Sequence, residues 1–147
     1  MPTVIFERKG PAMPMIDVTA RTGTFTPAQQ ERLIADLTAA VLRWEKAPDT
    51  DQFRANTAGF VHELPPAAIA TAAGGHDVVR VEVLTPPGVL DQDQRAGIVA
   101  ELTTIVATVA GDTGQAARTW VLLRESADGG WGIAGRAFSV ADLRAAR

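Results

Sequence analysis

A methionine–proline pair followed at once by a strand-like run is the feature of this sequence that could do chemistry. It occurs at Met1-Pro2 and again at Met13-Pro14. A proline at the N-terminus carries a secondary amine, whereas a proline inside the chain carries an amide nitrogen without usable basicity. In an apolar pocket or near a cation, such an amine can be neutral at physiological pH and act as a general base. The chemistry therefore depends on which residue begins the chain.

The composition excludes several classes of function. The 147 residues suit one compact domain. The net charge of −3 gives no overall basic footprint for nucleic acid. The chain has no cysteine and only two histidines, His62 and His76, so neither a disulfide nor a His-rich metal cluster is expected. Without a long apolar run or a signal core, we expect a cytoplasmic protein with no metal, cofactor, nucleic-acid or membrane partner.

The strands and helix that must position such a proline occur twice along the chain. In the first half, Met15 to Ala20 predicts a strand, and Thr26-Pro27-Ala28-Gln29 predicts the capped start of a helix. Pro48 and the polar run 49–52 end that helix, and Asn56 to Leu64 predicts a second strand. The helix carries one apolar stripe of five residues, Leu33, Ile34, Leu37, Val41 and Trp44.

The second half repeats this plan. Val78 to Leu84 predicts a strand, Asp91 caps a helix over 92–110, Gly111 ends it, and Thr119 to Glu125 predicts the next strand. The two halves are offset by roughly 62–65 positions, as a tandem repeat should be.

Each half is therefore a β-α-β unit, about 14–64 and 78–125, joined by the linker Pro65–Asp77. Parallel pairing with a right-handed crossover predicts an α+β fold, a four-stranded sheet with two helices on one face. An oligomer is the simplest cover for the other face. A glycine-rich hairpin over 129–135 and a short helix starting near Ser139 complete one domain, 13–147, behind an extension of residues 1–12.

Three segments carry a resemblance to a known family. The strand Trp120-Val121-Leu122-Leu123-Arg124-Glu125, with the hairpin Gly129-Gly130-Trp131-Gly132-Ile133-Ala134-Gly135, is similar to the end of tautomerase superfamily members such as 4-oxalocrotonate tautomerase. Met13-Pro14-Met15-Ile16-Asp17-Val18 resembles their N-terminus. The resemblance covers Met13 to about Arg144. Two units in one chain resemble the long, fused members, including the cis-3-chloroacrylic acid dehalogenase group, which implies a homotrimer of the tautomerase/MIF-like fold.

The resemblance implies an isomerase whose N-terminal proline moves a proton on a small enol or keto acid, with arginines holding the substrate carboxylate and an aromatic residue closing the pocket. Two alternatives stay open. One is a hydratase or dehalogenase of the same superfamily. The other is a non-catalytic oligomeric protein that binds small ligands on the same fold.

Pro14 fits the family register better than Pro2, because the strand and the capped helix follow it at the expected distance. Lys9-Gly10 can be encoded by a purine run that resembles a ribosome-binding site before the Met13 codon. We therefore hypothesise that Met13 is the natural start and that residues 1–12 are a mis-assigned extension. If the extension is real, only Pro2 could act as the base. Either proline could instead simply start an edge strand.

The residues around the proline match the family only in part. Trp131 matches the pocket aromatic, with a core role as the alternative. The family's arginine position in the last strand holds Trp120, and its first-half counterpart lies near Ala58. The remaining candidates for holding a carboxylate are four arginines, Arg21, Arg54, Arg118 and Arg124.

Strand alternation adds further candidates. It predicts that Arg118, Trp120 and Arg124 share one sheet face, where Arg118 and Trp120 could bind a carboxylate. It also places Asn56 and His62 on one face, Asn56 as a hydrogen-bond donor and His62 as a proton donor or water-positioning group. Structural roles are the alternative for each of them.

Overall fold

The central element of the protein is one mixed four-stranded sheet. The computed structural model describes residues 13–145. The sheet consists of β1 (Met15–Arg21), β2 (Ala58–Leu64), β3 (Val79–Thr85) and β4 (Thr119–Glu125), in the order β2-β1-β3-β4. β1 pairs with β2 and β3 with β4 in parallel, whereas β1 and β3 are antiparallel. The two predicted β-α-β units are thus joined through their first strands.

The long helices of the two units begin with the same N-terminal capping motif. α1 (Pro27–Trp44) and α3 (Gln92–Ala110) each start with a capping box, formed by Thr26 with Gln29 and by Asp91 with Gln94. Gly111 ends α3 in the left-handed conformation, with φ of 69°. These features confirm the helix boundaries expected from the sequence.

Both long helices pack on one face of the sheet and bury its core. Three or four side chains of each central strand face them: Ile16, Val18 and Ala20 from β1, and Val79, Val81 and Val83 from β3. The helices pack closely against each other at Gly97, where a Cβ atom would lie 2.2 Å from the Trp44 ring. The expected arrangement, two helices on one side of four strands, is confirmed.

The other face of the sheet, here called the open face, carries the alternate residues of the strands. It leaves large apolar side chains in solvent: Phe60 and Trp120 are each 49% exposed and Leu122 is 43% exposed. Charged residues lie among them, including Arg80 and Glu82 on β3. This half-apolar surface fits the expectation that another chain covers the sheet.

Six short elements complete the described chain. They are α2 (Asp51–Ala55), two 3₁₀ turns (Pro66–Ala68 and Thr113–Arg118), the hairpin strands β5 (Trp131–Ile133) and β6 (Arg136–Phe138), and α4 (Val140–Ala145). The hairpin and the terminal helix were expected, but α2 was not. Because α2 is capped by Thr50 and ends at Asn56, β2 begins at Ala58 and is shorter than the predicted strand. No helix in the described part of the chain is long and apolar enough to cross a membrane.

Candidate active site

Pro14 lies buried at the start of β1, in the middle of one end of the sheet. The next residue, Met15, pairs with Ala58 of β2 and with Leu84 of β3. A proline has no N–H to add to the ladder, so it suits the position where the strand begins. This end of the sheet, where β1 starts and β3 and β4 finish, is called the proline end below.

A separate apolar cluster includes the residues before and after Pro14 and is called the Met13 cluster. Its buried members are Met13, Phe53, Trp131 and Leu143, which are 1–5% exposed. Five partly buried residues pack against them: Met15, Ala47, Leu84, Ile133 and Phe138. The residues on both sides of Pro14 thus belong to the cluster. This small core is distinct from the one under the helices.

The cluster depends on three local structures from distant parts of the chain. In α2, the Thr50 hydroxyl accepts a hydrogen bond from the Phe53 N–H at 3.3 Å, and the Thr57 hydroxyl donates to the Phe53 carbonyl at 2.7 Å. These bonds orient the short helix so that Phe53 points inward. In the hairpin, Gly135 has φ of 83°, which the turn between β5 and β6 requires.

The third local structure is α4, which brings Leu143 onto the cluster. The Asp142 carboxylate accepts from the Ser139 N–H at 3.0 Å, and the Ser139 hydroxyl accepts from the Asp142 N–H at 3.1 Å. These hydrogen bonds with the Ser139 backbone and side chain lower the pKa of Asp142 below its usual value, with a smaller contribution from the charge of Arg136. Asp128 also accepts from the Val140 N–H at 2.8 Å, which ties α4 to the hairpin.

Two arginines lie at the rim of the Met13 cluster. The guanidinium of Arg136 lies 4.7 Å from the centre of the Phe138 ring, a cation–π contact with a cluster member. Arg124 is the β4 neighbour of Leu84, which is another cluster member. Arg124 was among the arginines considered from the sequence, whereas Arg136 was not. Both are exposed, so the apolar site is edged by cations that could meet an anion.

Four of the predicted site residues lie at the opposite end of the sheet, called the linker end. Arg21 is the last residue of β1, and Arg118 directly precedes β4, whose first residue pairs with Val79. His62 pairs with Thr19, and Trp120 pairs with Arg80, both close to this end. A strand of seven residues spans about 20 Å. Within one chain, the structure therefore does not bring these four residues to Pro14.

Arg118 and Arg21 are held in contacts with the chain itself. Arg118 lies in a 3₁₀ turn, Thr113–Arg118, and not in the strand as the alternation suggested. Its guanidinium donates to the carbonyls of Asp77 and Gly114 at 3.0 and 3.1 Å and pairs with Asp112 at 2.9 Å. Arg21 pairs with Asp77. Both arginines thus tie the linker to the ends of the strands, and their predicted substrate role stays untested.

The remaining predicted residues divide between the two ends. His62 Nε2 lies 2.7 Å from Asp17 Oδ1 on the open face, and Trp120 is exposed on the same face. Asn56 lies near the proline end, but its amide donates to the Gln52 carbonyl at 2.9 Å and caps α2. It is therefore not part of β2. Among the predicted substrate-binding residues, only Trp131 belongs to the Met13 cluster, and Pro2 lies outside the described residues.

Comparison with known proteins shows a family match in the second half of the chain and a shared fold over most of it. Residues 78–141 match the family model described as "Tautomerase enzyme". No curated protein matches the sequence. Among solved structures, "Q0 fused 4-OT wild type symmetric trimer" shares 23% identity, with a TM-score of 0.73 over 90% of this chain and 99% of that chain.

Two further structures have the same fold. The crystal structure of Pt0534 inactivated by 2-oxo-3-pentynoate is 20% identical, with a TM-score of 0.72 over 86% of this chain and 97% of that chain. N1, a member of the cis-3-chloroacrylic acid dehalogenase family, is 17% identical, with a TM-score of 0.70 over 84% of this chain and 82% of that chain. The second half of this chain thus matches the tautomerase family model, and both halves together have the fold of the fused 4-OT structure and of the cis-3-chloroacrylic acid dehalogenase family member.

Proposed function

We propose that the form of this protein beginning at Pro14 is a keto–enol tautomerase that uses the Pro14 amine as its general base. The observation that carries the proposal is the burial of Met13. Met13 is 2% exposed and packs with Phe53, Trp131 and Leu143, directly beside the Pro14 nitrogen to which it is bonded. One cleavage, between Met13 and Pro14, would therefore create the amine and empty the space in front of it.

The surroundings of Pro14 suit a base that works near neutral pH. A free α-amino group has a pKa of about 7.7–8.0. Among apolar side chains the protonated form of an amine loses hydration, which lowers its pKa and keeps a larger fraction neutral. Arg136 and Arg124 at the rim add positive charge, which disfavours a further cation. A neutral secondary amine can then accept a proton from the substrate.

The space that Met13 fills indicates the kind of substrate. Its walls are the aromatic rings of Phe53 and Trp131 and the side chain of Leu143. An apolar substituent would replace the Met13 side chain there, whereas a second carboxylate would be costly to bury without a partner. The single carboxylate of the substrate would lie at the rim and accept hydrogen bonds from Arg136 or Arg124. We therefore propose a monocarboxylic enol with an aryl or alkyl group, such as phenylenolpyruvate.

The proposed reaction transfers one proton between two atoms of the substrate. The Pro14 nitrogen takes the proton of the enol hydroxyl, and the electron pair of that O–H bond becomes the new carbonyl bond. The electrons of the carbon–carbon double bond then take the proton from the Pro14 ammonium at the adjacent carbon. The amine is neutral again, and the product is the keto acid. Holding the base and the carboxylate anchor in fixed positions is the contribution of the fold.

The partner we propose is two further copies of the chain. One fused 4-OT structure of the same fold is a symmetric trimer. The open face presents Phe60 on β2 and Leu122 on β4 to solvent, which gives a second copy apolar surface to bury. We expect a trimer mass in sedimentation equilibrium, and a lower mass for the variant Phe60→Glu. A monomer of the unaltered protein at high concentration would contradict this assembly.

The catalytic test compares three proteins in the ketonisation of phenylenolpyruvate. Expression from Met13, with the initiator methionine removed before proline, gives the chain that begins at Pro14. We expect activity in this chain, and a loss of about 10²–10⁴-fold in kcat/KM both in its Pro14→Ala variant and in the 147-residue chain. Equal rates in all three would refute the proline base. 2-Hydroxymuconate, a dicarboxylate, should be at least about tenfold poorer than phenylenolpyruvate.

A labelling experiment locates the base independently of turnover. The acetylenic ketone 2-oxo-3-pentynoate, which inactivates Pt0534, can add a neutral amine at its triple bond. Peptide mass spectrometry should find one adduct on Pro14 in the chain that begins there, and none on Pro14 in the 147-residue chain. An adduct on a lysine instead would contradict the proposal. Chloride release from cis-3-chloroacrylate, measured in parallel, would favour the alternative dehalogenase activity.

A further inference from the structure

The linker end of the sheet contains a cleft that none of the proposed chemistry uses. Its volume is about 240 Å³. The floor consists of open-face residues, Thr19, Arg80 and Trp120, and Val78 lies beside them. Three linker residues, Ala68, Ile69 and Ala70, form the opposite wall with Leu64. The cleft thus lies between the sheet and the segment that joins the two repeats.

The internal repeat explains why this cleft is open. After β4, the chain returns across the open face at the proline end and fills it with Trp131, Ile133 and Phe138. After β2, the linker returns in the same way across the open face at the linker end. The linker, however, carries alanines where the hairpin carries large side chains. The cleft is therefore the unfilled counterpart of the Met13 cluster.

The lining of the cleft combines a cation with an aromatic surface. Arg80 is exposed, and its guanidinium makes no ion pair or hydrogen bond with any side chain in the described range 13–145. Trp120 is its neighbour on β4 and is 49% exposed. Two acids near this end have other partners, since Asp77 pairs with Arg21 and Asp17 lies 2.7 Å from His62. Glu82 stands two residues further along β3 on the same face. A free cation beside an indole and an alkyl wall fits a small aromatic carboxylate.

We propose that this cleft is a second, non-catalytic binding site for a small aromatic monocarboxylate. Arg80 would donate to the carboxylate, and the ring of the ligand would lie between Trp120 and Ile69. The volume lies below the range of about 300–1,000 Å³ of drug-sized pockets, so a ligand with one ring fits best. At this site the start of β3 stands where the repeat places the counterpart of Pro14. The nitrogen there is always an amide, so the bound ligand undergoes no proton transfer.

The test uses cinnamate and the 147-residue chain, in which Met13 fills the space beside Pro14. Isothermal titration should show one saturable site per chain. Arg80→Gln should weaken binding at least tenfold. Arg32→Gln removes the same charge from the exposed side of α1, away from both ends of the sheet, so it should leave the affinity within about twofold. Cinnamamide, which has the same shape without the charge, should bind at least tenfold more weakly than cinnamate.

A cavity-filling variant separates binding from charge and from folding. Ala68→Leu should abolish cinnamate binding while Arg80 and the unfolding temperature stay unchanged, because the added side chain occupies the cleft as the hairpin residues occupy the other end. Two results would overturn the proposal. One is wild-type protein without saturable binding of cinnamate. The other is equal affinity in the wild type and in Arg80→Gln. Neither result depends on whether Pro14 is a catalytic base.

Discussion

The two ends of the sheet are built by the same repeat and closed in different ways. At the proline end, α2, the hairpin and α4 bury the start of β1 under aromatic and aliphatic side chains. At the linker end, a segment rich in alanine leaves a cleft edged by Arg80 and Trp120. Both ends offer an apolar floor with cations nearby. Only the proline end, however, has a residue whose nitrogen could become a free amine.

This difference shows how duplication separates fold from chemistry. The mechanism proposed here needs a chain terminus, and a fused chain has only one N-terminus for its two equivalent positions. The second position keeps the geometry but loses the base. It is therefore free to accumulate polar and charged side chains such as Arg80 and His62 on the open face. Most of the residues that the sequence suggested for binding the substrate carboxylate lie at the linker end.

Removing an aromatic side chain from the proline end should have the largest effect on stability. Trp131 is 5% exposed and belongs to the Met13 cluster, whose other buried members include Phe53 of α2 and Leu143 of α4. We expect Trp131→Ala to lower the free energy of unfolding by about 3 kcal/mol, measured by urea denaturation. Ile69→Ala is the matched change at the linker end, where the side chain is half-buried beside a cleft. It should cost about 1 kcal/mol. Equal losses would mean that both ends are packed alike.

Arg136, at the rim of the Met13 cluster, should affect substrate binding more than turnover. In the chain that begins at Pro14, we expect Arg136→Gln to raise KM for phenylenolpyruvate about tenfold with little change in kcat. The reason is that the guanidinium would hold the carboxylate in both the ground state and the transition state. Arg32→Gln on the exposed side of α1 is the control and should leave KM unchanged. An unchanged KM in the Arg136 variant would assign the anchor to another residue.

A smaller effect is expected from the His62–Asp17 pair on the open face. The two side chains lie 2.7 Å apart and are 52% and 40% exposed. Exposed pairs of this kind contribute at most about 1 kcal/mol because water and salt screen them. A double-mutant cycle with His62→Gln and Asp17→Asn should give a coupling energy within that limit. A larger coupling would show that another chain buries the pair.

The parts of the fold that could be predicted are those with local signals. Thr26 with Gln29, and Asp91 with Gln94, define the helix starts by capping chemistry that needs only neighbouring residues. α2 was missed because five residues after Pro48 show no period, and its stability rests on packing Phe53 against Met13 from another part of the chain. Tertiary contacts of this kind leave no pattern in the sequence.

The candidate site was predictable in its proline and its tryptophan, but not in its cations. Pro14 and Trp131 stand in motifs with fixed positions, and the structure places Trp131 in the cluster that contains both chain neighbours of Pro14, Met13 and Met15. Arg136 lies in a three-residue strand, where no periodicity marks it, and its contact with Phe138 depends on the hairpin. Arg118 was assigned to a strand that begins one residue later, and the intervening 3₁₀ turn redirects its guanidinium to the linker.

The smallest predicted effect is a pH dependence of the α4 cap, confined to the proline end. The pKa of Asp142 is lowered in the folded protein by its hydrogen bonds with Ser139. Its contribution to stability is therefore present above the ordinary value of 3.8 and is lost as the pH falls through the lower, folded value. Protonation weakens the cap of α4, and α4 carries Leu143 of the Met13 cluster. We expect the amide signals of Val140 and Leu143 to shift in nuclear magnetic resonance spectra below about pH 4.

The variant Asp142→Asn tests this link, because an asparagine can still accept the hydrogen bond from the Ser139 N–H but has no carboxyl to titrate. The acid shift of the Leu143 amide should disappear in this variant, whereas Asp36→Asn on α1 should leave it intact. The residues that line the cleft at the linker end, such as Ile69 and Thr19, should show no change in the same range from this group. If these signals shift together with that of Leu143, the two ends of the sheet respond to acid as one unit. The packing of the proline end would then depend on the whole sheet and not on the cap of α4.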